Sequence, residues 1–124
     1  MARITIIPLF KSQSFSAGDS GTSDPIDLRY IANRGAFSLA HSNAAGTSTT
    51  CGTTVFSYTG CSLFNGSYVT PTGAVEIGTS GPAIAGKITP FSPTLVPFIK
   101  VVATQTGAGT AGANSAITAE LIVQ

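Results

Sequence analysis

The feature that most constrains the fold is an alternation of apolar and polar side chains in the last third of the chain. It runs through Phe98–Thr106 and again through Ser115–Gln124, with a linker of small residues, Gly107–Asn114, between the two runs. Because side chains alternate between the two sides of a β-strand, each run predicts a strand with one apolar face. The apolar sets are Ile99, Val101 and Ala103 in the first run, and Ile117, Ala119, Leu121 and Val123 in the second.

The short linker predicts that the two strands pair antiparallel as a hairpin. One register satisfies both apolar sets, since a slip of one residue would move every side chain to the wrong face. In this register the apolar pairs are Ile99 with Leu121, Val101 with Ala119, and Ala103 with Ile117. The pairs on the opposite face are Lys100 with Glu120, and Phe98 with Ile122.

Shorter strand-like runs fill the rest of the chain, separated by turn signals about 8–12 residues apart. Strands are predicted at Arg3–Phe10, Ser12–Ala17, Ala36–Ser42, Thr54–Ser62, Tyr68–Thr70, Ala74–Ile77 and Lys87–Phe91, and either a strand or a single helical turn at Ile26–Ile31. Turns or loops are predicted at Gly18–Pro25, His41–Thr53, Asn65–Gly66, Pro71–Gly73 and Gly78–Gly86. Pro8 indicates an edge position for the first strand, because proline cannot donate to a ladder.

This spacing predicts an all-β protein, an antiparallel, jelly-roll-like β-sandwich of about eight to ten short strands. Residues 1–17 are expected to form an N-terminal strand or extended arm, and residues 18–124 a single sandwich domain. At 124 residues the chain is long enough for one hydrophobic core.

The composition disfavours binding to nucleic acid and to membranes. Charged residues make up 9% of the chain, against roughly 25% in an ordinary soluble domain. The six basic residues are scattered among five acidic ones, whereas a nucleic-acid backbone requires clustered cations. No apolar run approaches the roughly 20 residues that span a bilayer, and the N-terminal apolar run, broken by Pro8, does not fit a secretory signal. A net charge near zero favours association with other subunits.

The two cysteines, Cys51 and Cys61, are expected to be free thiols. The segment between them has the β-branched and aromatic content of a strand. An extended strand of that length separates the two sulfurs by about 30 Å, far beyond the roughly 7 Å between Cα atoms that a disulfide allows. Free thiols agree with synthesis in a reducing cytosol.

No residue set in the sequence forms a catalytic or metal-binding pattern. His41 is the single histidine, and its place after Phe37 and Leu39 predicts a partly buried residue at a strand end. A calcium loop would need six to eight oxygen ligands, so turn and cap roles are expected for Asp19, Asp24 and Asp27. The glycine-containing stretches GTSG and GAGTAGAN lack the Lys-Ser/Thr ending of a phosphate-binding loop. No enzyme activity, cofactor or metal is therefore predicted.

Aromatic side chains offer one alternative, a platform on which a sugar ring would stack. The candidates are Tyr30, Phe64, Tyr58 and Tyr68. Core packing and cross-strand pairing are the ordinary roles of such rings, so both interpretations stay open here.

The order of motifs resembles a known class of proteins. The chain contains IDLRYIANRGAFSLAHS, then VFSYTGCSLFNGSYVTPTGAVEIG, and finally FSPTLVPFIKVVATQTG and SAITAELIVQ. Across residues 26–124 these motifs resemble small β-rich proteins encoded in the structural modules of tailed bacteriophages.

The resemblance implies a non-enzymatic component of the virion, with a capsid decoration or cement protein as the main expectation. A tail, collar or fibre component, or a carbohydrate- or receptor-binding sandwich module, is the alternative. The implied partners are the major capsid protein or other virion subunits, in a homo-oligomer that is a trimer or a dimer. Such a protein would be made in the host cytoplasm without a signal peptide and would end in the virion. The N-terminal segment lies outside the resemblance, and its apolar side chains are the candidate partner contacts: Ile4, Ile6, Ile7 and Phe10.

Overall fold

A computed structural model of the chain describes residues 4–15, 19–29, 37–45, 53–73, 77–80, 87–93, 96–106 and 115–123. Within these ranges the chain forms nine β-strands and no helix. The strands are β1 (Thr5–Phe15), β2 (Ser20–Thr22), β3 (Ile26–Asp27), β4 (Phe37–Ala45), β5 (Thr53–Cys61), β6 (Gly78–Ser80), β7 (Lys87–Phe91), β8 (Phe98–Thr106) and β9 (Ser115–Val123).

The strands form two antiparallel sheets. The first sheet has the order β1-β9-β4-β7, and the second has the order β2-β8-β5-β6, with the short β3 also paired to β8. Buried side chains of both sheets belong to one hydrophobic cluster. The prediction of an all-β, antiparallel β-sandwich is therefore confirmed, and nine strands in the described part of the chain fall within the expected number.

The core lies between the two sheets and consists of the inward side chains that the alternation predicted. Phe37, Leu39, Ile117 and Leu121 come from the first sheet, and each is essentially inaccessible to solvent. Second-sheet residues complete the core, namely Phe56, Tyr58, Ile99, Val101 and Ala103. Burying aliphatic and aromatic side chains stabilises a fold by about 1.5–3 kcal/mol each, so these faces hold the two sheets together.

The predicted hairpin between the last two strands is wrong. β8 pairs with β2, β3 and β5 in the second sheet, whereas β9 pairs with β1 and β4 in the first sheet. The chain therefore crosses from one sheet to the other between residues 106 and 115. The two apolar faces are both buried, because strands in opposite sheets can pack across the core instead of sharing a ladder.

The predicted cross-strand pairs fail for the same reason. Lys100 pairs with Thr59 in the second sheet, and Glu120 lies between Pro8 and Ala40 in the first sheet. Lys100 and Glu120 consequently point outward on opposite sides of the molecule. Phe98 is likewise opposite Cys61 and Asp27 rather than Ile122.

The N-terminal segment is a strand of the sandwich. β1 pairs with β9 along its length as the edge strand of the first sheet, with register shifts between Pro8 and Phe10 and between Phe10 and Gln13. The expected edge position of Pro8 is confirmed. The predicted runs Arg3–Phe10 and Ser12–Ala17 contribute to this one strand.

The edge of the second sheet is a strand interrupted at Ser23. β2 and β3 both pair with β8, so the region predicted as a turn, Gly18–Pro25, contains a short strand. Between them, the Ser23 amide donates to the Val101 carbonyl at 2.8 Å, and the Val101 amide donates to the Ser23 hydroxyl at 2.9 Å. The serine thus continues the ladder with its side chain. The predicted strand or helical turn at Ile26–Ile31 is a two-residue strand followed by a turn within the described residues.

The strands predicted at Ala36–Ser42, Thr54–Ser62 and Lys87–Phe91 are present, with small differences at their ends. The strand predicted at Tyr68–Thr70 is wrong, because only Val69 makes a bridge there, and Ile77, the described residue of the predicted strand Ala74–Ile77, is not in a strand. β4 extends into the predicted loop His41–Thr53 as far as Ala45, and β6 occupies the start of the predicted loop Gly78–Gly86. The reversal predicted at Asn65-Gly66 is present, because Gly60 and Val69 on either side of it exchange two backbone hydrogen bonds. Gly73 has a φ of 79°, as the predicted turn there requires. The linker Gly107–Asn114 and residues 74–76 lie outside the described residues.

Candidate functional site

The two outward faces of the sandwich differ in chemistry. On the second sheet the outward side chains of β2, β5 and β8 are mostly hydroxyl-bearing: Ser20, Thr22, Val55, Ser57, Thr59, Lys100, Val102 and Thr104. On the first sheet, outward side chains are mostly apolar: Ile6, Pro8, Ser38, Ala40, Ser42, Ile88, Pro90, Thr118, Glu120 and Ile122. We name the latter surface the aliphatic face. A solvated sheet face is ordinarily polar, and the aliphatic face departs from that pattern.

The strand register aligns the aliphatic face in rows across all four strands. One row contains Ile6, Ile122, Ser38 and Pro90. The next contains Pro8, Glu120, Ala40 and Ile88. The two isoleucines near opposite edges protrude most, with Ile6 58% and Ile88 66% exposed. Contiguous exposed apolar surface on a small domain is typical of a protein interaction site.

A shallow depression of about 610 Å³ lies beside the centre of the aliphatic face. Its lining includes Ala40, Ser42, Lys87, Ile88, Thr118 and Glu120. The carboxylate of Glu120 has no hydrogen-bond or ion-pair partner among the described residues. The depression thus places a carboxylate beside a protruding isoleucine, and Lys87 borders it from the register position opposite the inward-facing His41.

The structure divides the four predicted partner-contact residues into two pairs. Ile4 and Ile6 are exposed, so both are available to a partner. Phe10 is buried in the core cluster, and Ile7 packs against that cluster. The register shift after Pro8 turns Phe10 inward, which a strict alternation from Ile4 and Ile6 does not predict.

A second exposed surface lies at one end of the second sheet, on the loop that follows β5 (residues 62–70, here the aromatic loop). The Tyr68 hydroxyl donates to the Phe64 carbonyl at 2.8 Å, and the Lys100 ammonium lies 4.4 Å from the centre of the Tyr68 ring. Burial and the neighbouring Cys61 raise the pKa of the Tyr68 hydroxyl. Hydrogen bonding and cation–π contact therefore hold this tyrosine in one orientation.

The base of the aromatic loop rests on Phe98. The Phe64 ring meets the Phe98 ring edge to face, with centroids 5.7 Å apart. The Arg29 guanidinium lies 5.0 Å from the Phe98 centroid and bonds the Asp27 carboxylate at 2.9 Å. Hydrogen bonds from the Arg29 side chain and backbone lower the pKa of Asp27.

Only part of the predicted aromatic platform is assembled among the described residues. Phe64 and Tyr68 lie together in the aromatic loop, whereas Tyr58 is buried in the core. Tyr30 lies outside the described residues. Lys100 lies beside Tyr68, whereas the sequence pattern predicted that it would pair with Glu120.

His41 is a core residue. It lies in the middle of β4, is 3% exposed, and packs its ring 4.7 Å from that of Phe56. Its Nε2 lies 3.3 Å from the Thr89 hydroxyl, and its Nδ1 is buried without a hydrogen-bond partner among the described residues. Burial, reinforced by the charge of Lys87, lowers the pKa of His41. The expected partly buried strand-end position is wrong, because β4 continues past this residue.

Two further residues considered in the sequence, Asp27 and Cys61, have contacts within the fold. Asp27 accepts a hydrogen bond from the Arg29 amide at 2.9 Å, which is the turn role expected of it. Cys61 is a free thiol that accepts from the Leu63 amide at 3.4 Å, while Cys51 lies outside the described residues. In the part of the chain that the structure describes, no three His, Cys, Asp or Glu residues are arranged to hold a metal. The same part contains no helix that could span a bilayer.

The aliphatic face was not identified from the sequence. Its members come from four segments, and the sequence predicts a partner contact only in the first of them, at Ile4 and Ile6. The available signal was an isoleucine at position 88 between two polar residues, Lys87 and Thr89. In a strand whose inward side is Thr89 and Phe91, that isoleucine must point outward.

Comparisons with known proteins identify no family for this chain. No protein-family model and no curated protein matches it. Among solved structures, one match is to the structure titled "Crystal Structure of FLHE", with 17% sequence identity over 98% of this chain and 96% of that chain. Its TM-score of 0.35 is too low to support an argument about this protein.

Proposed function

We propose that this protein is a non-enzymatic structural component of a tailed-bacteriophage virion, a capsid decoration or cement protein. The observation that carries the proposal is the aliphatic face, which exposes isoleucines and prolines on a sheet whose counterpart is covered with hydroxyl groups. A surface of this kind is suited to contact with another protein and provides no catalytic chemistry. The motif resemblance supplies the virion context.

The strand arrangement supports the proposal. If β2 and β3 count as one interrupted strand on β8, the sandwich has eight strands in two sheets of four, and most sequence neighbours lie in opposite sheets. We propose that this arrangement is the jelly-roll-like one expected from the sequence, an architecture found in viral capsid and lectin domains. Because a fold alone does not specify a function, the surface carries the argument.

The contact with the capsid would be made through the β1 side of the molecule. Ile4 and Ile6 are exposed there, next to Pro8 on the outermost strand. In this proposal the partner is the major capsid protein or another virion subunit, and the protein reaches the virion after synthesis in the host cytoplasm. Many copies on one particle make individually weak contacts collectively strong.

Quantitative mass spectrometry of purified particles tests the proposal. We expect the chain in virions at a copy number comparable to that of the capsomers. A number far below this would replace decoration by a tail, collar or fibre role. Absence from the particles would refute a virion role altogether.

A paired substitution tests the contact. Ile4→Ser together with Ile6→Ser should lower the occupancy on particles at least tenfold, since burial of two isoleucines contributes about 1.5–3 kcal/mol each. The matched control is Leu63→Ser with Val69→Ser, two similarly exposed residues of the aromatic loop. Equal occupancy for both double variants would contradict attachment through β1.

The aromatic loop favours a second candidate, a carbohydrate- or receptor-binding module. Tyr68 is fixed beside Lys100 and Phe64, so an aromatic ring and a cation stand together on an exposed loop. In this candidate, a glycan array would show binding by the wild type. Tyr68→Ala would abolish that binding, although the buried Tyr58 is left in place in this variant. An array without signal would exclude the glycan form of this candidate.

A further inference from the structure

A recess of about 210 Å³ lies between the edge strands of the two sheets. One wall belongs to β1 of the first sheet, and the other is the interrupted edge of the second sheet, from Ser23 to Asp27. We name it the lateral recess. Its lining includes Ile7, Pro8, Leu9, Asp24, Pro25 and Ile26. It opens between the sheets, whereas the depression described above lies on the outward side of the first sheet.

A β-bulge shapes the first wall of the lateral recess. Pro8 pairs with Glu120 and Phe10 pairs with Ala119, so Leu9 is an extra residue in the ladder. Such a bulge bends its strand and redirects the side chains beside it. Phe10 is buried in the core, whereas Ile7 and Leu9 are only partly buried against it. The recess therefore has an apolar floor at the margin of the core, and part of that apolar surface is uncovered.

The backbone around the lateral recess is unsuited to the addition of a further strand. Pro8 and Pro25 have no amide donor, and the ladder on β8 is interrupted at Ser23, whose hydroxyl already accepts from the Val101 amide. Proline and irregularity are features that prevent pairing at a sheet edge. A partner would therefore bind here by placing a side chain in the recess.

The volume of the lateral recess suits one apolar side chain. A cavity of about 150 Å³ lined by aliphatic and aromatic side chains holds a benzene ring. The recess, at about 210 Å³, thus accommodates a leucine, isoleucine, methionine or phenylalanine side chain. Single side chains that fill such pockets commonly dominate the affinity of a protein contact.

The rim of the lateral recess carries a negative charge. The Asp24 side chain is exposed, and its carboxylate has no hydrogen-bond or ion-pair partner among the described residues. The second carboxylate of the lining, Asp27, accepts two hydrogen bonds from the Arg29 guanidinium, at 3.0 and 2.9 Å. Arg29 thus balances Asp27, and the unbalanced charge comes from Asp24. An apolar floor with a negative rim is complementary to an apolar group that has a cation beside it.

We propose that the lateral recess is the anchor site of the capsid contact: it binds an apolar side chain of the virion partner, and Asp24 pairs with a lysine or arginine next to that side chain. This inference deepens the function proposed above and rests on it for the identity of the partner. Ile6 is exposed and directly precedes Ile7 on β1. A partner anchored in the recess therefore also reaches the exposed isoleucines assigned to the capsid contact.

Titration of the purified chain with two small probes, followed by two-dimensional amide NMR, tests the site. 2-Phenylethylammonium carries a ring and a cation, and 3-phenylpropionate has a ring on a similar chain with the opposite charge. The cationic probe should shift the amide signals of Ile7, Leu9 and Ile26 with a millimolar dissociation constant, as expected for a small fragment. The anionic probe should bind more weakly. Unchanged signals at these three amides, or equal affinity for both probes, would overturn the proposal.

Substitutions separate the roles of charge and shape. Asp24→Asn should raise the dissociation constant of 2-phenylethylammonium about threefold, the size of effect expected for an exposed ion pair. The control is Asp19→Asn, which removes another exposed carboxylate just before β2 and should leave the constant unchanged. Leu9→Trp should fill the recess and prevent binding of both probes, with thermal melting to verify that this variant is folded. Equal constants in the two asparagine variants, or probe binding to folded Leu9→Trp, would contradict the proposed site.

Occupancy on purified particles separates this inference from the proposed function. Asp24→Lys should lower the occupancy, whereas Asp19→Lys should not. A chain that binds the cationic probe but is absent from virions would refute the virion role and retain the recess as a site for such a side chain on another protein. A chain present at capsomer stoichiometry that does not bind the probe, or whose occupancy is unchanged by Asp24→Lys, would retain the virion role and overturn the anchor site.

Discussion

At the scale of single residues, the polar groups of this protein act mainly within the fold. Three of them lie in the interior. The Ser23 hydroxyl accepts from the Val101 amide, the Thr54 hydroxyl donates to Gln105 at 2.7 Å, and His41 Nε2 lies near the Thr89 hydroxyl. Buried polar groups are costly when they lose a partner. Substitutions at these positions are therefore expected to affect stability rather than binding.

His41 makes stability dependent on pH. Its pKa is lower in the folded chain than the usual value of about 6.5 in the unfolded chain, so the unfolded chain takes up its proton first as the pH falls. The stabilisation is complete above about pH 6.5 and is lost as the pH falls from there toward the folded pKa.

Urea unfolding at several pH values measures this effect. The free energy of unfolding of the wild type should fall as the pH decreases below about 6.5, and the decline should be smaller in His41→Gln. His41 is the single histidine of the chain, and carboxylates titrate nearer pH 4, so the window is specific. Parallel pH profiles of the two proteins would contradict a depressed pKa at this residue.

Ser23→Ala should reduce the free energy of unfolding by about 1–3 kcal/mol, because it leaves the buried Val101 amide without an acceptor. Ser20→Ala, on the exposed part of β2, is the control and should change stability by less than about 0.5 kcal/mol. Equal effects in urea unfolding would show that the serine hydroxyl is not part of the ladder.

At the scale of elements, the aromatic loop requires a particular residue at one position, Gly66. The Gly66 amide donates to the Leu63 carbonyl at 3.1 Å, and a Cβ atom on Gly66 would lie 2.5 Å from the Cys61 sulfur. Since this sulfur also accepts from the Leu63 amide, it has little freedom to move away. Glycine at position 66 is thus required by close packing.

Gly66→Ala should destabilise the protein by about 1–3 kcal/mol through overpacking. Adding Cys61→Ala removes the atom in the way, so the double variant should lose less stability than the sum of the single changes. Thermal or urea unfolding of the four proteins measures this coupling. Additive losses would show that the thiol and the glycine do not contact one another.

At the scale of the whole molecule, the two outward faces of the sandwich expose different kinds of side chains. The aliphatic face contains a central carboxylate and protruding isoleucines, and the opposite face contains hydroxyl groups and the aromatic loop. One molecule can thus contact a protein on one side and present a solvated surface on the other. In the function proposed above, the first face would contact the larger assembly and the second would face solvent.

A double-mutant cycle tests the assignment of β8 and β9 to opposite sheets. Lys100→Glu should lower stability by up to about 1 kcal/mol through loss of its contact with Tyr68. Combined with Glu120→Lys it should show no coupling beyond about 0.3–0.5 kcal/mol. A rescue of stability in the double variant would instead support the hairpin pairing that the sequence predicted.

The sequence determined the class of fold and the membership of the core. A period of two specifies which side chains share a face, and the inward residues of Phe98–Thr106 and Ser115–Val123 are all buried where they are described. The turn at Asn65-Gly66 and the edge position of Pro8 could also be predicted from the sequence, because local backbone chemistry decides both. These features depend on neighbours along the chain.

The tertiary structure decided which strands pair and which surface is exposed. An apolar face is buried equally well in a shared ladder or across a sandwich, so alternation could not distinguish the hairpin from the observed crossing between sheets. The same ambiguity hid the aliphatic face, whose four strands come from distant segments, and the position of Phe10, which depends on a register shift. Pairing is chosen by the free energy of the whole packed arrangement, and that quantity is not contained in any local stretch of the chain.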